Sequence, residues 1–558
     1  MSPKAKVQKQ KKKASSLLQN NRLPEAREAY LKVCKLDPTD YESWLNLGAI
    51  HGGMGVVREA ENAFLKALAI KPDLNQALFN LAALYLQQGH FTEAEKYLQR
   101  FNDLNPRNTD ICLQLAIIRH KLGRFEEALV PLKTGLLIEP DNVKLLNQQG
   151  IVFTNLRRYE EAETALLYAA KFPDFQSSSL CNLGNLYYRR RKIGQAIEQY
   201  KRSLEVKPNV PSTLVGLGIC YAAQEKFEAA LSCFEKALAI NPKFAGAHWN
   251  RAHLLLQKGR YLEGWEDYEW RLDMPELVEL DKRIFSKPRW DGKEVCDKTL
   301  LVYAEQGFGD TLQFCRYLAL IRSRVGRLVF ECQPELVELL GDIAGADEVL
   351  PRRGGAQELN VPYDFYIPLM SLPYLCKTTL ETIPTTTPYV RISEKKQAAW
   401  TDRLDRGSIK VGLVWAGNPK HHLDVERSIS LESLQPLMSL KDVFIYGLQK
   451  GGYAEHQVKT LEQKFNFINL GEEFHSFADT AAVIANLDMV ISVDTSVAHL
   501  AGAMNKPVHI LLSYPSEWRW LLDRSDTPWY PGAVLHRQGS DCNWQPIIDH
   551  LIDILKRT

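Results

Sequence analysis

The sequence predicts an all-α solenoid of helical hairpins followed by an α/β module, and three observations carry that expectation. A 34-residue spacing runs without slippage from Tyr41 to about Arg271. Small residues hold two fixed places in every unit. Beyond Thr299 the helical pattern gives way to short apolar strands alternating with helices, the arrangement that builds parallel sheets.

In the repeat register the eighth place reads Gly48, Ala82, Ala116, Gly150, Gly184, Gly218, Ala252, and the twentieth reads Ala60, Ala94, Ala128, Ala162, Ala196, Ala230, Gly264. Small residues at both places let two antiparallel helices approach closely, while Trp44, Leu47 and Phe64 and their equivalents fill the space between hairpins. Pro38, Pro72, Pro106, Pro140, Pro208 and Pro242 end the second helix of each unit, because proline cannot continue it. The run Trp44, Leu47, Gly48, Ala60, Phe64, Pro72 resembles the tetratricopeptide repeat (TPR). Seven units follow a degenerate leading one that keeps Ala14, Ala26, Tyr30 and Pro38. The unit from Val143 lacks its closing proline, with Pro173 beside the expected place, and the last unit departs after Tyr261.

At 558 residues the chain has room for two or three domains with full cores. A net charge of +2 gives no general attraction to nucleic acid or anionic membrane, so neither is expected as a partner. The Lys4 to Lys13 run reads as a solvated basic tail over residues 1–13, since blocks of like charge repel. No apolar stretch suited to a signal peptide follows it, and nowhere do about 18 apolar residues run together as a membrane span requires; a cytoplasmic location is the expectation. The ten cysteines are scattered without a Cys-x-x-Cys, and Cys181, Cys220, Cys315 and Cys332 fall in apolar patterns, which suits reduced thiols rather than disulfides or zinc ligands.

The first helices of stacked hairpins line the inner surface of such a solenoid. There the sixth place supplies a ladder of carboxamides, Asn46, Asn80, Gln114, Gln148, Asn182 and Asn250, interrupted by Gly216. A carboxamide donates and accepts, so the ladder suits an extended protein or peptide held through its main chain. The alternative is that these groups tie neighbouring units together.

The aromatic run from Gly264 to Leu272, followed by Pro288, Trp290 and Asp291, reads as a rigid junction, because exposed tryptophan is costly. Strands are expected at Leu300 to Ala304, Arg327 to Cys332, Asp364 to Pro368, Lys410 to Ala416, Val443 to Leu448, Met489 to Val493 and Val508 to Leu512. They form two halves, Thr299 to Tyr389 and Lys410 to Gln538, with a final amphipathic helix from Trp544 to Leu555 able to pack on either.

Three loops at strand ends carry chemistry. Gly307-Phe308-Gly309-Asp310 sets a carboxylate at a cleft mouth, although a helix-capping Asp explains it equally. Trp415 to Ser428 is a long polar loop with Asn418, Lys420, His421, His422 and Arg427, suited to an anionic ligand, or else a surface loop with local turns. Asp494-Thr495-Ser496-Val497-Ala498-His499 runs from a strand into a helix whose first N–H groups and positive dipole end suit phosphate, with His499 one turn in as a further donor.

The Gly309-Asp310 loop, the Trp-Ala-Gly-Asn-Pro-x-His-x-x-Asp-x-x-Arg-Ser stretch from Trp415, and Asp494-Thr-x-x-x-His499 together resemble the bacterial heptosyltransferase-related (family 9-like) glycosyltransferases, in the branch where a TPR array precedes the transferase. The likeness extends to Tyr268-Glu-Trp-Arg271, Pro288 to Gly292 and Trp518 to Asp523. It implies the GT-B fold of two Rossmann-like lobes, an activated-sugar donor held mainly by the second lobe, and inverting transfer that needs no metal; the absence of any Asp-x-Asp agrees. Where these enzymes generally have Gly after Asp-Thr, this chain has Ser496. The domains on this reading are the tail 1–13, a TPR superhelix 14–272, a junction 273–298, a first lobe 299–392 and a second, nucleotide-sugar-binding lobe 393–558.

The resemblance makes Asp310 the general base and Arg427 the cation facing the leaving phosphate. It places Asp494, Thr495, Ser496 and His499 along the nucleotide and phosphates, and Asn418, His421 and Gln449 near the donor. It implies a nucleotide-sugar co-substrate of unspecified base, and no other cofactor. The expected activity is sugar transfer to a hydroxyl of a protein acceptor chosen by the TPR groove. The alternatives are a lipopolysaccharide or other glycan acceptor, and a non-catalytic TPR adaptor.

Overall fold

The computed structural model describes residues 3–274, 285–353, 361–419, 424–451, 455–514 and 516–558. The chain divides into two compact units, residues 1–224 and 225–558.

Sixteen helices run from Pro3 to Tyr268, two for each of the eight repeats in the register. The small residues act as expected. A Cβ on Gly48, Gly150 or Gly184 would stand 2.6, 2.5 or 2.6 Å from the side chain of Phe64, Leu166 or Tyr200, sixteen residues further on in the partner helix. The second helices stop at Asp37, Lys71, Asn105, Glu139, Lys207 and Asn241, each directly before its proline, with φ between −130° and −140°. Proline excludes the α region from the residue before it. Where the proline is missing, the helix Tyr159–Ala169 is short and the next one, Pro173–Arg189, starts a turn early.

The turn inside each hairpin needs one left-handed residue. The 34-residue register places it at Gly55, Gly89, Gly123 and Gly259 (φ +72° to +76°), and equally at Asn21, Arg157, Arg191 and Glu225 (φ +54° to +60°).

Of the basic tail expected over residues 1–13, the described part, residues 3–13, is instead the start of the first helix, Pro3–Gln19. Its apolar residues Ala14, Leu17 and Leu18 pack with Tyr30 and Cys34 of the next helix. Lys11 reaches Asp40 at 2.8 Å and Glu42 at 2.7 Å. An apolar face with carboxylates to receive a lysine orders a charge run that repulsion alone would leave free.

In the second unit, helices Phe227–Ile240, Ala245–Gln257 and Tyr261–Tyr268 lead into an α/β region with two parallel sheets. The first has strands β1 (Val295–Tyr303), β2 (Val325–Cys332), β3 (Glu348–Pro351) and β4 (Phe365–Pro368) in the order β3-β2-β1-β4. The second has β5 (Ile409–Val414), β6 (Val443–Gly447), β7 (Phe467–Asn469), β8 (Met489–Val493), β9 (Val508–Leu512) and β10 (Ala533–Arg537) in the order β10-β9-β8-β5-β6-β7. That is the doubly wound order, whose direction reverses between β5 and β8, and ligands bind at the carboxyl ends beside such a reversal.

Alternation along the strands divides the second core. Val411, Leu413, Ile491, Val493 and Leu511 pack with Ile547, Ile548, Leu551 and Leu555 of the last helix, Gln545–Arg557, which settles its place on the second sheet. Val490, Val508, Ile510 and Leu512 face the opposite way, into the core shared with the first sheet.

The aromatic junction is packed. Trp265 meets Trp518 edge-on at 5.4 Å and Phe314 at 6.1 Å, and Tyr261 lies 6.2 Å from Trp529. Arg271 is buried and donates to Glu269, Glu305 and Ser371. Cys220, Cys315 and Cys332 are buried, Cys181 is half-buried, and none of the ten cysteines, all of them among the described residues, forms a disulfide. No helix among the described residues is long and apolar enough to cross a membrane.

Candidate active site

A cavity of about 720 Å³ opens at the carboxyl ends of β1, β5, β6 and β8 and is lined by the loops that follow them. From the first sheet come Gly307 to Asp310; from the second come Ala416 to Pro419, Arg427, Gln449, Asp494 to Ser496, His499 and Arg519.

Asp310 lies in the first turn of the helix Phe308–Phe314, and its Oδ2 accepts from the Gly307 N–H at 2.9 Å. The capping role is therefore present, alongside a place in the cavity. Its Oδ1 accepts from Arg519 Nη2. Arg519 is itself fixed by Glu517 Oε1 at 2.6 Å and Gln313 Oε1 at 2.7 Å, and lies over the Trp518 ring. Burial opposes its charge, but Glu517 and Asp310 hold it protonated above the ordinary arginine range. Burial also raises the Glu517 carboxyl, against the pull of Arg519.

The loop after β5 folds back so that Arg427 Nη1 donates to the Asp494 carbonyl at 3.0 Å and Nε to Asp424 Oδ1 at 3.2 Å. Gly417 leaves room for this arrangement: a Cβ there would come within 2.3 Å of both Arg427 and Asp424, so their side chains would have to move. Gln449 is buried, and its Oε1 accepts from the Ala416 N–H at 3.1 Å, tying the loops after β5 and β6 together. Asn418 lines the cavity. His421 lies outside the described residues.

After β8, Asp494, Thr495 and Ser496 are half-buried on the cavity wall. Thr495 is the N-cap of the helix Ser496–Ala503, with its hydroxyl 3.0 Å from that of Ser492. Ser496 and Val497, the first two residues of the helix, line the cavity, while the N–H groups of Ala498 and His499 donate to the Thr495 carbonyl at 3.1 and 3.4 Å. Asp494 Oδ2 accepts from Trp520 Nε1 at 2.9 Å. Burial, followed by Glu517, pushes the Asp494 carboxyl upward. His499 is buried, with Nδ1 2.8 Å from the Tyr530 hydroxyl and Nε2 4.0 Å from Asp494 Oδ1. Burial, then Arg519 and Arg316, push its pKa well below 6.5.

Asp310, Arg427, Asp494, Thr495, Ser496, His499, Asn418 and Gln449 thus line one cavity. The carboxamide ladder is elsewhere. Asn46, Asn80, Gln114, Gln148 and Asn182 are half-exposed in the first unit, and Asn250 is half-exposed in the second. Asn182 Nδ2 donates to Asn147 Oδ1 of the neighbouring repeat at 3.0 Å, and Asn250 Nδ2 to the Gly246 carbonyl. Sequence reasoning gives no role to Arg519, Glu517, Trp520 or Tyr530. The available signal is the run Trp518-Arg519-Trp520, an arginine between two tryptophans. Among the described residues no three His, Cys, Asp or Glu side chains are grouped to hold a metal ion.

Two parallel sheets with a cavity at their strand ends make an α/β module that follows a helical repeat array. The comparisons agree in class. Tetratricopeptide-repeat models match residues 14–55, 50–109, 85–149, 178–243 and 221–268, and the glycosyltransferase family 9 (heptosyltransferase) model matches residues 450–520. Protein FlbA of Caulobacter vibrioides is 27% identical over 326 residues, 55% of this chain and 54% of FlbA, so the aligned stretch spans about half of that relative. A tetratricopeptide repeat protein from Parabacteroides merdae is 19% identical over 42% of this chain and 93% of its own, with a TM-score of 0.36. Pseudomonas aeruginosa pilF is 22% identical over 37% of this chain and 92% of its own, with a TM-score of 0.29. The chain carries tetratricopeptide repeats and a glycosyltransferase family 9 segment, a combination that supports a glycosyltransferase.

Proposed function

We propose that the protein transfers a sugar from a nucleotide sugar to a hydroxyl of a protein acceptor, with inversion and without a metal, the repeat groove choosing the polypeptide. The observation that carries this reading is the meeting in one cavity of Asp310, Arg427 and the start of the helix Ser496–Ala503. The diphosphate lies against the first-turn N–H groups and Arg427, where fixed donors stabilise the charge that develops on the leaving oxygen. Asp310 keeps carboxylate lone pairs beyond those facing Arg519 and Gly307, and takes the proton of the acceptor hydroxyl as that oxygen attacks the anomeric carbon. The new C–O bond forms as the bond to phosphate breaks, and the electron pair leaves with the nucleotide.

A thermal-shift panel of UDP, GDP, ADP, dTDP and CMP on the native protein and Asp494→Ala tests the donor half. A nucleotide at 100 times its Kd stabilises the unit that binds it by about 2.7 kcal/mol. A shift with one nucleotide, lost in the variant, is the expected result; no shift with any nucleotide or nucleotide sugar overturns the reading. For the acceptor half, joint replacement of Asn46, Asn80 and Gln114 by Ala is expected to abolish transfer to protein and spare donor hydrolysis. The heptosyltransferase description of the matched model favours a glycan acceptor as the second reading, and unchanged transfer to a glycan by that triple variant would select it.

A further inference from the structure

Among the described residues the lysine and arginine side chains on the cavity wall are Arg427, Lys450 and Arg519, and the carboxylates are Asp310, Glu335 and Asp494. A wall balanced in this way has no surplus of positive charge to attract an anion. Arg519 is directed to Asp310, Glu517 and Gln313, and Lys450 Nζ donates to the Phe474 carbonyl at 2.5 Å. Arg427 is placed differently. Its Nε and Nη1 are held by Asp424 Oδ1 and by the Asp494 carbonyl, while Nη2, beside Gly417 on the same wall, has no acceptor among the described residues.

Asp424 is a costly choice of partner for that arginine. Its side chain is buried, Oδ1 lies 3.2 Å from Arg427 Nε, and Oδ2 is buried with no hydrogen-bond partner among the described residues. A buried carboxylate with a bare oxygen is unfavourable, whereas asparagine offers Nε an acceptor without the charge. Arg427 does not need the anion, because its side chain is 21% exposed and water in the cavity can meet its charge. Stability alone therefore does not call for a carboxylate at 424, and the charge has its use in the site. It stands on the far side of the guanidinium from an anion at Nη2, and opposes that anion by Coulomb repulsion.

We propose that Asp424 is a positioning residue acting through Arg427: its oxygen aims Nη2 at a phosphate, and its charge keeps the hold weak enough for a nucleoside diphosphate product to leave. The identity of the product rests on the proposed function, whereas the effect on a phosphate group is independent of the nucleoside.

The test is a titration of the full chain with inorganic pyrophosphate at low salt, followed by phosphorus NMR, for the native protein, Asp424→Asn and Asp424→Leu. The three side chains are similar in size. The first two share the acceptor oxygen and differ in charge; the last two share neutrality and differ in the acceptor. Asp424→Asn is expected to bind pyrophosphate about three- to tenfold more tightly than the native protein, a gap that narrows as salt rises. Asp424→Leu is expected to bind at least about tenfold more weakly than Asp424→Asn, the loss of a hydrogen bond to a charged group. A role in the fold alone would lower the melting temperature and move neither ratio, and that result overturns the proposal. So does a native protein that binds no pyrophosphate at millimolar concentration. Should Asp424→Leu not fold, Arg427→Lys takes its place, since an ammonium lacks the planar fork that Asp424 and the Asp494 carbonyl hold; weaker binding than native is expected, and unchanged binding overturns the proposal. The expected ratios with pyrophosphate, joined to no binding or turnover of any nucleotide sugar, would uphold the role of Asp424 while the proposed function fails.

Discussion

Arg519 joins the two sheets of the α/β region at the point where chemistry is expected, its Nη2 donating to Asp310 Oδ1 while Nη1 and Nε are held by Glu517 and Gln313. Three acceptors surround one planar fork, a demand that lysine cannot meet. Arg519→Leu leaves the half-buried Glu517 without its cation, a loss that costs less than the about 3–5 kcal/mol of fully buried pairs. The double variant Arg519→Leu/Glu517→Gln is expected to recover most of that stability in urea unfolding without recovering turnover. Recovery of both would mean that the arginine serves the fold only. Asp310→Asn is expected to stay folded, bind nucleotide and lose turnover by at least about a hundredfold, within the range of general-base catalysis.

The close approach of Gly309 to His499 gives a second expectation. The backbone at 309 is ordinary, so the constraint is space: a methyl group would meet His499 Cδ2 at 2.8 Å. Gly309→Ala must displace the imidazole or the loop, at about 1–3 kcal/mol for an overpacked site. Thermal melts should record that cost, and donor affinity should fall further than in a control substitution at exposed Gly53, where an added Cβ meets nothing within 4 Å.

The left-handed hairpin position offers a test within the first unit. Arg157 and Arg191 hold φ of +60° and +57° at the place where Gly55, Gly89 and Gly123 sit. A side chain pays a conformational penalty there that glycine avoids. Arg191→Gly is expected to stabilise by about 0.5–1 kcal/mol and Gly89→Ala to destabilise by a similar amount. The second change is conformational alone, since a Cβ on Gly89 touches nothing within 4 Å. Opposite signs in chemical denaturation check the pair.

That position also marks what the sequence makes legible. The repeat register is written in small residues and prolines whose steric reasons are local, so hairpins and helix ends can be placed from the chain alone. The left-handed turn at Arg157 and Arg191 is hidden because tertiary packing imposes it on residues that do not ask for it. Strands β1, β2, β4, β5, β6, β8 and β9 show as apolar runs, whereas β3 (Glu348–Pro351), β7 (Phe467–Asn469) and β10 (Ala533–Arg537) lie towards sheet edges and are short or mixed in polarity. Asp310, Arg427 and Asp494 to His499 are legible because each follows a readable strand or loop. Arg519 and Tyr530 are not, since their meaning comes from partners about 209 and 31 residues away, at Asp310 and His499.

Buried neutral histidines predict how the second unit responds to acid. Burial lowers His253 and His536 to about 4, the latter with help from His509 and His550, and His509 is lowered in the same direction. In the unfolded chain these groups titrate near about 6.5. Between that value and 4 the unfolded state binds more protons, so stability rises with pH through this window and is lost as pH falls through it. Each such histidine contributes a slope of up to about 1.4 kcal/mol per pH unit. The melting temperature of the second unit should therefore hold from pH 8 to about 7 and drop steeply towards pH 5, within the window set by these shifts. His536 is hydrogen-bonded to His509 Nδ1 at 2.9 Å, so His536→Gln, which keeps a polar partner but cannot charge, should flatten the drop. A melting temperature that stays level from pH 7 to pH 5 would show that these imidazoles reach solvent on protonation, and an unchanged slope in the variant would move the effect to the other histidines.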